Sequence, residues 1–294
     1  MLSEEFQFED LLPFADRKII LSITRELGEV SRKAVSKLEK KNLVVAFSAG
    51  IDSSIVSKLI SETGSSLDLL ALGRDGSADL QSVSGLNNAF LKSSKIHVEI
   101  VTDSEIEQAA IDTSKLVSVS SLAHFEDSLS FSLIAKKAIE IPDMTALISA
   151  NGPDELFCGY DRFRRIVDSS GYESAEKEIR SALVSANLLG REARKVVSGF
   201  GLELVEPLFQ KEFVDFALTI PIEFKLQRGN DMLRKRIWRF LGRTMKLPEE
   251  IVFRPKKAMQ YGMGIHRIVY SMLKNGTLKL DFPKGQGQQP ESIR

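Results

Sequence analysis

The sequence of 294 residues predicts an α/β fold, in which a parallel sheet carries helices on both faces and an all-helical C-terminal part follows. In the first half, short apolar runs of strand length alternate with segments whose apolar residues recur at helical spacing. Strands that alternate with helices in this way pair in parallel. Beyond residue 149 only helical patterns are found, so no further strand is expected.

Each element of the first half has its own signal. The first helix, residues 17–40, has its apolar residues at helical spacing from Ile20 to Leu38. The apolar runs predicted as strands are residues 43–47, 67–72, 95–101 and 144–149. A helix with Ile55 and Leu59 on one face follows the first strand. Further helices are predicted at residues 78–92, 103–118 and 126–140.

The second half is predicted as helices and connectors. These are residues 155–166, 173–187, 191–198, 211–219, 230–242 and 265–274. Within them the basic cluster, defined as Arg234, Lys235, Arg236, Arg239 and Arg243, is interpreted as a solvated helix face. Residues 1–16 and 281–294 are expected to be poorly ordered, because no periodic apolar pattern persists there.

Composition and charge argue against several classes of function. The 40 basic and 40 acidic residues cancel, so nothing favours a nucleic-acid partner or a membrane surface. No apolar run approaches the roughly 20 residues of a membrane helix, and the N-terminus lacks a secretory signal. Cys158 is the only cysteine, so we expect a small, partly buried residue with no disulfide within the chain. These features favour a cytoplasmic protein.

The turn after the first strand is the most informative segment. It reads Ser48-Ala-Gly-Ile-Asp-Ser-Ser54, and a helical pattern follows. Strand, small-residue turn and helix together present backbone N–H groups to a phosphate, and Asp52 can hold a metal ion against it. The carboxyl ends of parallel strands bind ligands. The loops at residues 48–54, 73–79 and 151–155 are therefore expected to form one cleft.

Five segments carry a family resemblance. Residues 48–54 match S-G-G-x-D-S, with Ala49 for the first glycine, and residues 149–160 match S-G-E-G-x-D-E-L-F-x-G-Y. The segments 72–80, 201–208 and 254–264 match V-G-x-x-G-S-x-D-x, G-x-E-x-R-x-P-F and R-x-K-x-x-x-x-x-G-x-G. From about residue 20 to 270, the chain resembles the synthetase domain of asparagine synthetases, in the ATP-pyrophosphatase superfamily. The related β-lactam and carbapenam synthetases share these motifs.

The resemblance implies an adenine nucleotide α-hydrolase-like domain over residues 17–280. Its nucleotide core would be residues 40–160, and its helical part residues 161–280. Nucleotide binding is implied for Ser48, Ala49, Gly50, Asp52, Ser53, Ser54, Leu72, Gly73, Asp79 and Gly152. The implied metal ligands for Mg²⁺ are Asp52 and Asp154, and the implied catalytic residues are Lys256 and Glu155. Lys256 would stabilise the departing pyrophosphate.

The implied reaction is amide formation with ATP. A small carboxylate substrate, with aspartate as the first candidate, would attack the α-phosphorus and form an acyl-adenylate. Ammonia or another amine would then displace AMP. Leu2 stands where glutamine-dependent members carry a catalytic cysteine, so the ammonia is expected to be free or to come from a separate glutaminase subunit. Asn151 replaces a glutamate that handles the amine, and Pro153 and Val205 also depart from the family pattern.

These departures leave other functions open. The chain could adenylate a different acid, as β-lactam synthetases do. It could instead be a degenerate nucleotide-binding protein with a regulatory or assembly role and no catalysis. A tRNA-modifying pyrophosphatase is a weaker alternative. That class often carries a basic surface, added zinc or catalytic cysteines, and these features do not appear in this sequence.

Overall fold

Parallel strands form the centre of the computed structural model, which describes residues 11–12, 16–38, 42–86, 91 and 94–282. Five strands lie in this described part: β1 (Leu43–Ala46), β2 (Leu67–Gly73), β3 (Lys95–Ile100), β4 (Ala146–Ile148) and β5 (Glu203–Val205). Their order in the sheet is β3-β2-β1-β4-β5, and neighbouring strands are parallel. The predicted α/β class is confirmed.

Helices make up most of the remaining regular structure. In the first half they are α1 (Arg17–Ser36), α2 (Ile51–Ser61), α3 (Ala78–Ser84), α4 (Asp103–Leu116) and α5 (Leu122–Ala138). In the second half they are α6 (Pro153–Leu156), α7 (Asp161–Ser170), α8 (Tyr172–Ser198), α9 (Lys211–Thr219), α10 (Arg236–Thr244), α11 (Glu249–Val252), α12 (Met259–Gly262) and α13 (His266–Lys274). Short 3₁₀ turns lie at Pro207–Phe209 and Ile222–Phe224.

Helices cover both faces of the sheet, as predicted. Successive side chains of a strand point to opposite faces. Accordingly, Val45 packs in one hydrophobic core with Ile55 and Trp238, whereas Val44 packs in a second core with Phe125. Residues of α1, α2, α9 and α10 complete the first core, and residues of α4, α5, α8 and α13 complete the second.

The strand β5 corrects the prediction that no strand follows residue 149. It pairs with β4, placing Leu204 opposite Leu147 at one edge of the sheet. Three residues are too few for an alternating pattern to be recognised in a sequence. Pairing with the fully buried β4 stabilises this segment, so the contact that defines the strand is distant in the chain. The other regular elements of the described second half are helical.

Helix boundaries differ from the predictions where side-chain contacts override local preference. The two helices expected at 173–187 and 191–198 are one helix, α8, which continues through Gly190. The helix expected at 230–242 begins only at Arg236, because the Asp231 carboxylate accepts hydrogen bonds from the backbone N–H groups of a preceding loop. Residues 155–166 are split between α6 and α7.

Some predictions fall outside the described residues. Most of the segments 1–16 and 281–294 lies there, as do residues 87–90 and 92–93 of the helix predicted at 78–92. Within the described residues, none of the helices combines the length and the apolar character needed to cross a membrane.

Candidate active site

The loop after β1 has the tight geometry that a phosphate-binding turn requires. Ala49 adopts a left-handed conformation with φ of 53°, in which glycine is favoured and other residues cost about 1–2 kcal/mol. Gly50 is the N-cap residue directly before α2, and no side chain of the described residues caps the first N–H groups of that helix. These N–H groups are available to an anion. The alanine therefore preserves the turn that the motif requires.

Arg254 ties this loop to the one after β2. Its guanidinium donates to the Ser48 carbonyl and, at 2.9 Å, to Asp79 Oδ1. Burial raises the pKa of Asp79, and the Arg254 charge opposes that rise. A Cβ atom on Gly262 would lie 2.2 Å from Asp79 Oδ2, so this glycine makes room for the carboxylate. Arg254 thus holds the two loops together.

Two carboxylates and two lysines alternate at the centre of the site. Lys235 Nζ lies 2.5 Å from Asp52 Oδ2 and 2.8 Å from Asp154 Oδ1. Lys256 Nζ lies 2.6 Å from Asp154 Oδ2. Trp238 Nε1 donates to Asp52 Oδ1 at 3.0 Å. The two negative charges and the two positive charges therefore balance in this site, in which Lys235 is fully buried.

Neighbouring charges shift the pKa values of Asp154 and Lys256. Burial alone would raise the pKa of Asp154, but the adjacent Lys235 and Lys256 outweigh burial and hold the pKa well below its usual range. Burial would lower the pKa of Lys256, but the carboxylates of Asp154 and Asp52 raise it. The Asp154 carboxylate and the Lys256 ammonium group therefore remain charged at neutral pH.

The surroundings of Glu155 favour its protonated, neutral form. Burial, followed by the charge of Asp154, raises its pKa to about 7. The Tyr160 hydroxyl donates to Glu155 Oε1 at 2.6 Å, which opposes the rise. A carboxyl group with this pKa can exchange a proton near neutral pH.

Two cavities meet at this centre. The inner cavity, about 110 Å³, lies at the carboxyl ends of the strands, and its lining includes Ser48, Asp52, Ser53, Leu72, Asp79, Asn151, Asp154 and Lys256. The outer cavity, about 750 Å³, is lined among others by Asp127, Asn151, Asp154, Glu155, Tyr160, Arg162 and Lys256. Asn151, Asp154 and Lys256 belong to both linings, so they mark the junction.

Most of the residues predicted for the site converge here. Gly50 lines a small pocket beside the inner cavity, next to Arg254. Four other predicted residues, Ala49, Ser54, Gly73 and Gly152, are not among the residues that line these cavities in the described part of the chain. Gly73 and Gly152 instead allow close backbone packing, since a Cβ atom would lie 2.4 Å from Ser77 Oγ and 3.2 Å from the Leu208 carbonyl.

Asn151 is held by an acidic residue that the motifs did not indicate. Its Nδ2 donates to Glu206 Oε1 at 3.3 Å, and Arg194 donates to Glu206 Oε2 at 2.6 Å. A Cβ atom on Gly190 would lie 2.9 Å from Glu206 Oε2. The glycine in the middle of α8 therefore leaves the space that Glu206 occupies.

The prediction that the basic cluster is a solvated helix face is wrong. Lys235 and Arg239 are fully buried, and Arg234 and Arg243 are nearly so. Arg239 donates to the carbonyls of Leu233 and Arg234, while Lys235 enters the active centre. A left-handed backbone at Arg234 and Lys235 turns the chain there before α10 begins. Helical spacing could not indicate this turn.

Cys158 is fully buried, not partly buried as expected. Burial raises the pKa of its thiol to about 12, and the nearby Lys225 opposes only part of the rise. A thiol that stays protonated and has no access to solvent is a poor nucleophile. The environment of Cys158 is therefore that of a structural core residue.

Comparison with known proteins identifies relatives over most of the chain. The family model described as asparagine synthase matches residues 27–199 and 182–280. A protein of Methanocaldococcus jannaschii, provisionally named glutamine-hydrolysing asparagine synthetase 1, is 26% identical over 92% of this chain and 53% of that protein. Glutamine-hydrolysing asparagine synthetase B of Escherichia coli strain K12 is also 26% identical, over 75% of this chain and 41% of its own.

The chain spans about half the length of these curated relatives. Among solved structures, an NMN synthetase from Francisella tularensis aligns with 90% of this chain and 98% of its own, at 11% identity and a TM-score of 0.34. That similarity is too low to support an argument. The family model, in contrast, covers most of the chain and includes both the loop at residues 48–54 and Lys256. The chain belongs to the asparagine synthase family.

Proposed function

We propose that this chain is an ATP- and Mg²⁺-dependent ligase that activates a carboxylate as an acyl-adenylate and then transfers the acyl group to ammonia or another amine. The observation that supports it most strongly is the alternation of Asp52, Lys235, Asp154 and Lys256 beside the phosphate loop. Family membership adds support, because curated members that the chain resembles are named asparagine synthetases.

The two carboxylates suit a Mg²⁺ ion that also binds phosphate oxygens. Mg²⁺ takes one or two protein carboxylates and fills its other positions with phosphates and water. Asp154 Oδ1 is buried and accepts no well-directed hydrogen bond from the described residues, although Lys235 Nζ is 2.8 Å away. Asp52 and Asp154 would hold the ion, which would neutralise phosphate charge. Among the described residues no larger group of metal-binding side chains exists, so phosphates and water must supply the other ligands.

The lysines suit adenylation rather than transfer of the terminal phosphate. The substrate carboxylate attacks the α-phosphorus, the bond from that phosphorus to the β-phosphate oxygen breaks, and pyrophosphate leaves. Negative charge grows on the leaving pyrophosphate, and a fixed ammonium in a partly enclosed site lowers the energy of that transition state. Lys256, with its side chain 22% exposed, lines both cavities and is placed to do this.

The acid remains to be identified, and aspartate is the first candidate. A different acid is the second candidate, since Asn151 departs from the glutamate of the family motif and Val205 from the arginine. The outer cavity, with Arg162 and Arg165 in its wall, could accept a larger anionic substrate. The nucleophile would be ammonia, free or from a separate glutaminase subunit, or another amine.

Pyrophosphate release from ATP and Mg²⁺ tests the proposal. Aspartate and other carboxylic amino acids are screened with and without ammonium, and amide products are identified by mass spectrometry. Asp154→Asn should abolish the release, because it removes a metal ligand and the partner of two lysines. Asp112→Asn, on the exposed surface of α4, is the matched control and should retain it.

Release with aspartate and formation of asparagine support the first candidate, and release only with other acids supports the second. ATP binding without pyrophosphate release under any acid would leave a binding protein without catalysis. Unchanged release in Asp154→Asn would remove that carboxylate from the metal site.

A further inference from the structure

The outer cavity has a polar wall that the adenylation step does not use. It is about 750 Å³, whereas ammonia is similar in size to a water molecule, which takes about 30 Å³ in the liquid. It meets the inner cavity at Asn151, Asp154 and Lys256, where the acyl group of an adenylate would lie. A nucleophile entering through the outer cavity would therefore reach the acyl carbon at this junction.

The amide of Asn151 is oriented by Glu206. A carboxylate can only accept hydrogen bonds, so Asn151 must present its Nδ2 to Glu206 Oε1, which is 3.3 Å away. Burial raises the pKa of Glu206, and the Arg194 charge opposes that rise. Arg194, whose side chain is half exposed, also holds the carboxylate in place by donating to it at 2.6 Å. The side-chain carbonyl oxygen of Asn151, Oδ1, accepts no hydrogen bond from any described residue. It therefore remains available as an acceptor at the junction of the two cavities.

Asp127 supplies a second acceptor in the same cavity. It lies on α5, is half-buried, and lines the outer cavity together with Asn151 and Lys256. Across the described part of the chain, no residue donates a hydrogen bond to its carboxylate. Burial and the charge of Glu206 raise its pKa to about 7, against the opposing charge of Lys256. A carboxylate in this position can accept a proton from a bound ammonium group.

We infer that Asp127 and the side-chain carbonyl of Asn151 form the nucleophile subsite, which binds ammonium or the ammonium form of a primary amine, with Asp127 as the base. This inference rests on the proposed function and extends it to a catalytic residue. Glu206 is a positioning residue, because it acts through Asn151. Two acceptors suit an ammonium group, which has three donors and no acceptor.

The proton balance of the step is simple. The ammonium nitrogen gives one proton to the Asp127 carboxylate, and the freed lone pair forms a C–N bond to the acyl carbon. The C–O bond to AMP then breaks, and the second N–H proton leaves with the departing phosphate. The products are the amide, AMP and a protonated Asp127, which loses its proton to solvent.

Comparing two nucleophiles on Asp127→Asn tests the inference. Hydroxylamine is largely uncharged at mildly basic pH and needs no base to expose its lone pair, whereas ammonium and methylammonium must lose a proton. The acid that supports pyrophosphate release in the screen is used, beginning with aspartate. Exchange of labelled pyrophosphate into ATP is measured beside amide and hydroxamate formation, and exchange also reports that the variant is folded.

We expect Asp127→Asn to retain pyrophosphate exchange and hydroxamate formation within about threefold of the unmodified protein. Amide formation from ammonium and from methylammonium should fall by about 100-fold or more, because a general base usually contributes a factor of that size. Asp127→Ser should behave in the same way, in case the amide variant folds poorly. Glu206→Gln should lower amide formation while leaving exchange unchanged. Asp112→Asn should retain all three reactions.

Two results would overturn the inference. Amide formation that persists in both Asp127 variants would show that the carboxylate takes no proton. Equal loss with hydroxylamine and with ammonium, while exchange persists, would show a role in shape rather than in proton transfer. Absence of exchange in the unmodified protein would instead refute the adenylation proposal itself, and the inference with it.

Discussion

Replacing Lys235 by methionine should destabilise the protein by about 3 kcal/mol. Lys235 is fully buried and touches two carboxylates, each with a side chain 16% exposed. Removing one partner of a buried ion pair costs about 3–5 kcal/mol, because it leaves a buried charge uncompensated. Lys256 still neutralises Asp154, and the partial exposure of the carboxylates lets water reach them, so the lower end applies. The methionine preserves most of the buried side-chain volume.

Equilibrium unfolding in urea, followed by fluorescence and circular dichroism, measures this cost. Lys33→Met is the matched control, since Lys33 pairs with Glu212 at 2.8 Å but the two side chains are 62% and 57% exposed. Such a surface pair contributes less than about 1 kcal/mol. Mg²⁺ should recover part of the stability of the Lys235 variant and change the unmodified protein less. A loss no larger than that of Lys33→Met would refute the central role given to Lys235.

Two further predictions concern the same site. Gly262→Ala should lower the free energy of unfolding by about 1–3 kcal/mol and weaken ATP binding, because the new Cβ would force Asp79 away from Arg254. Thermal unfolding measures the stability and calorimetry measures ATP binding, with Gly85→Ala as the control, since its Cβ would meet nothing nearer than 3.7 Å. Equal effects of the two substitutions would contradict this prediction. The pKa of Glu155 rises from 4.5 to about 7 on folding, so this group's contribution to stability is complete below about pH 4.5 and falls as the pH rises to about 7. Glu155→Gln should therefore gain stability relative to the unmodified protein over that range, by at most about 3 kcal/mol. A difference between their unfolding free energies that does not vary with pH would contradict this assignment.

The fold was largely predictable because its central strands are short apolar runs. Residues 43–47 and 67–72 contain β1 and β2 almost completely, and the small residues after β1 indicated the tight turn at which α2 begins. In contrast, β5 has only three residues, and its pairing with β4 defines it as a strand. Local pattern gives no information about such a distant partner.

The candidate site was predictable only in part, for the same reason. The motifs indicated Asp52, Asp154 and Lys256, and the fold brings these three residues together. Lys235 lies 183 residues from Asp52, in a basic run that resembles an ordinary helix face. Glu206 lies 55 residues from Asn151. Only the folded chain brings each of these pairs of side chains together, so the periodicity of a helix or a strand could not indicate them.

The most direct test of the proposed reaction follows oxygen from the acid into AMP. A carboxylate substrate labelled with heavy oxygen is incubated with ATP, Mg²⁺ and ammonium, and the AMP is isolated for mass spectrometry. If the carboxylate attacks the α-phosphorus, one labelled oxygen must appear in the AMP phosphate for each amide formed. Label found instead in inorganic phosphate, or amide formed with unlabelled AMP, would contradict an acyl-adenylate and with it the role assigned to the Asp52–Lys235–Asp154–Lys256 centre.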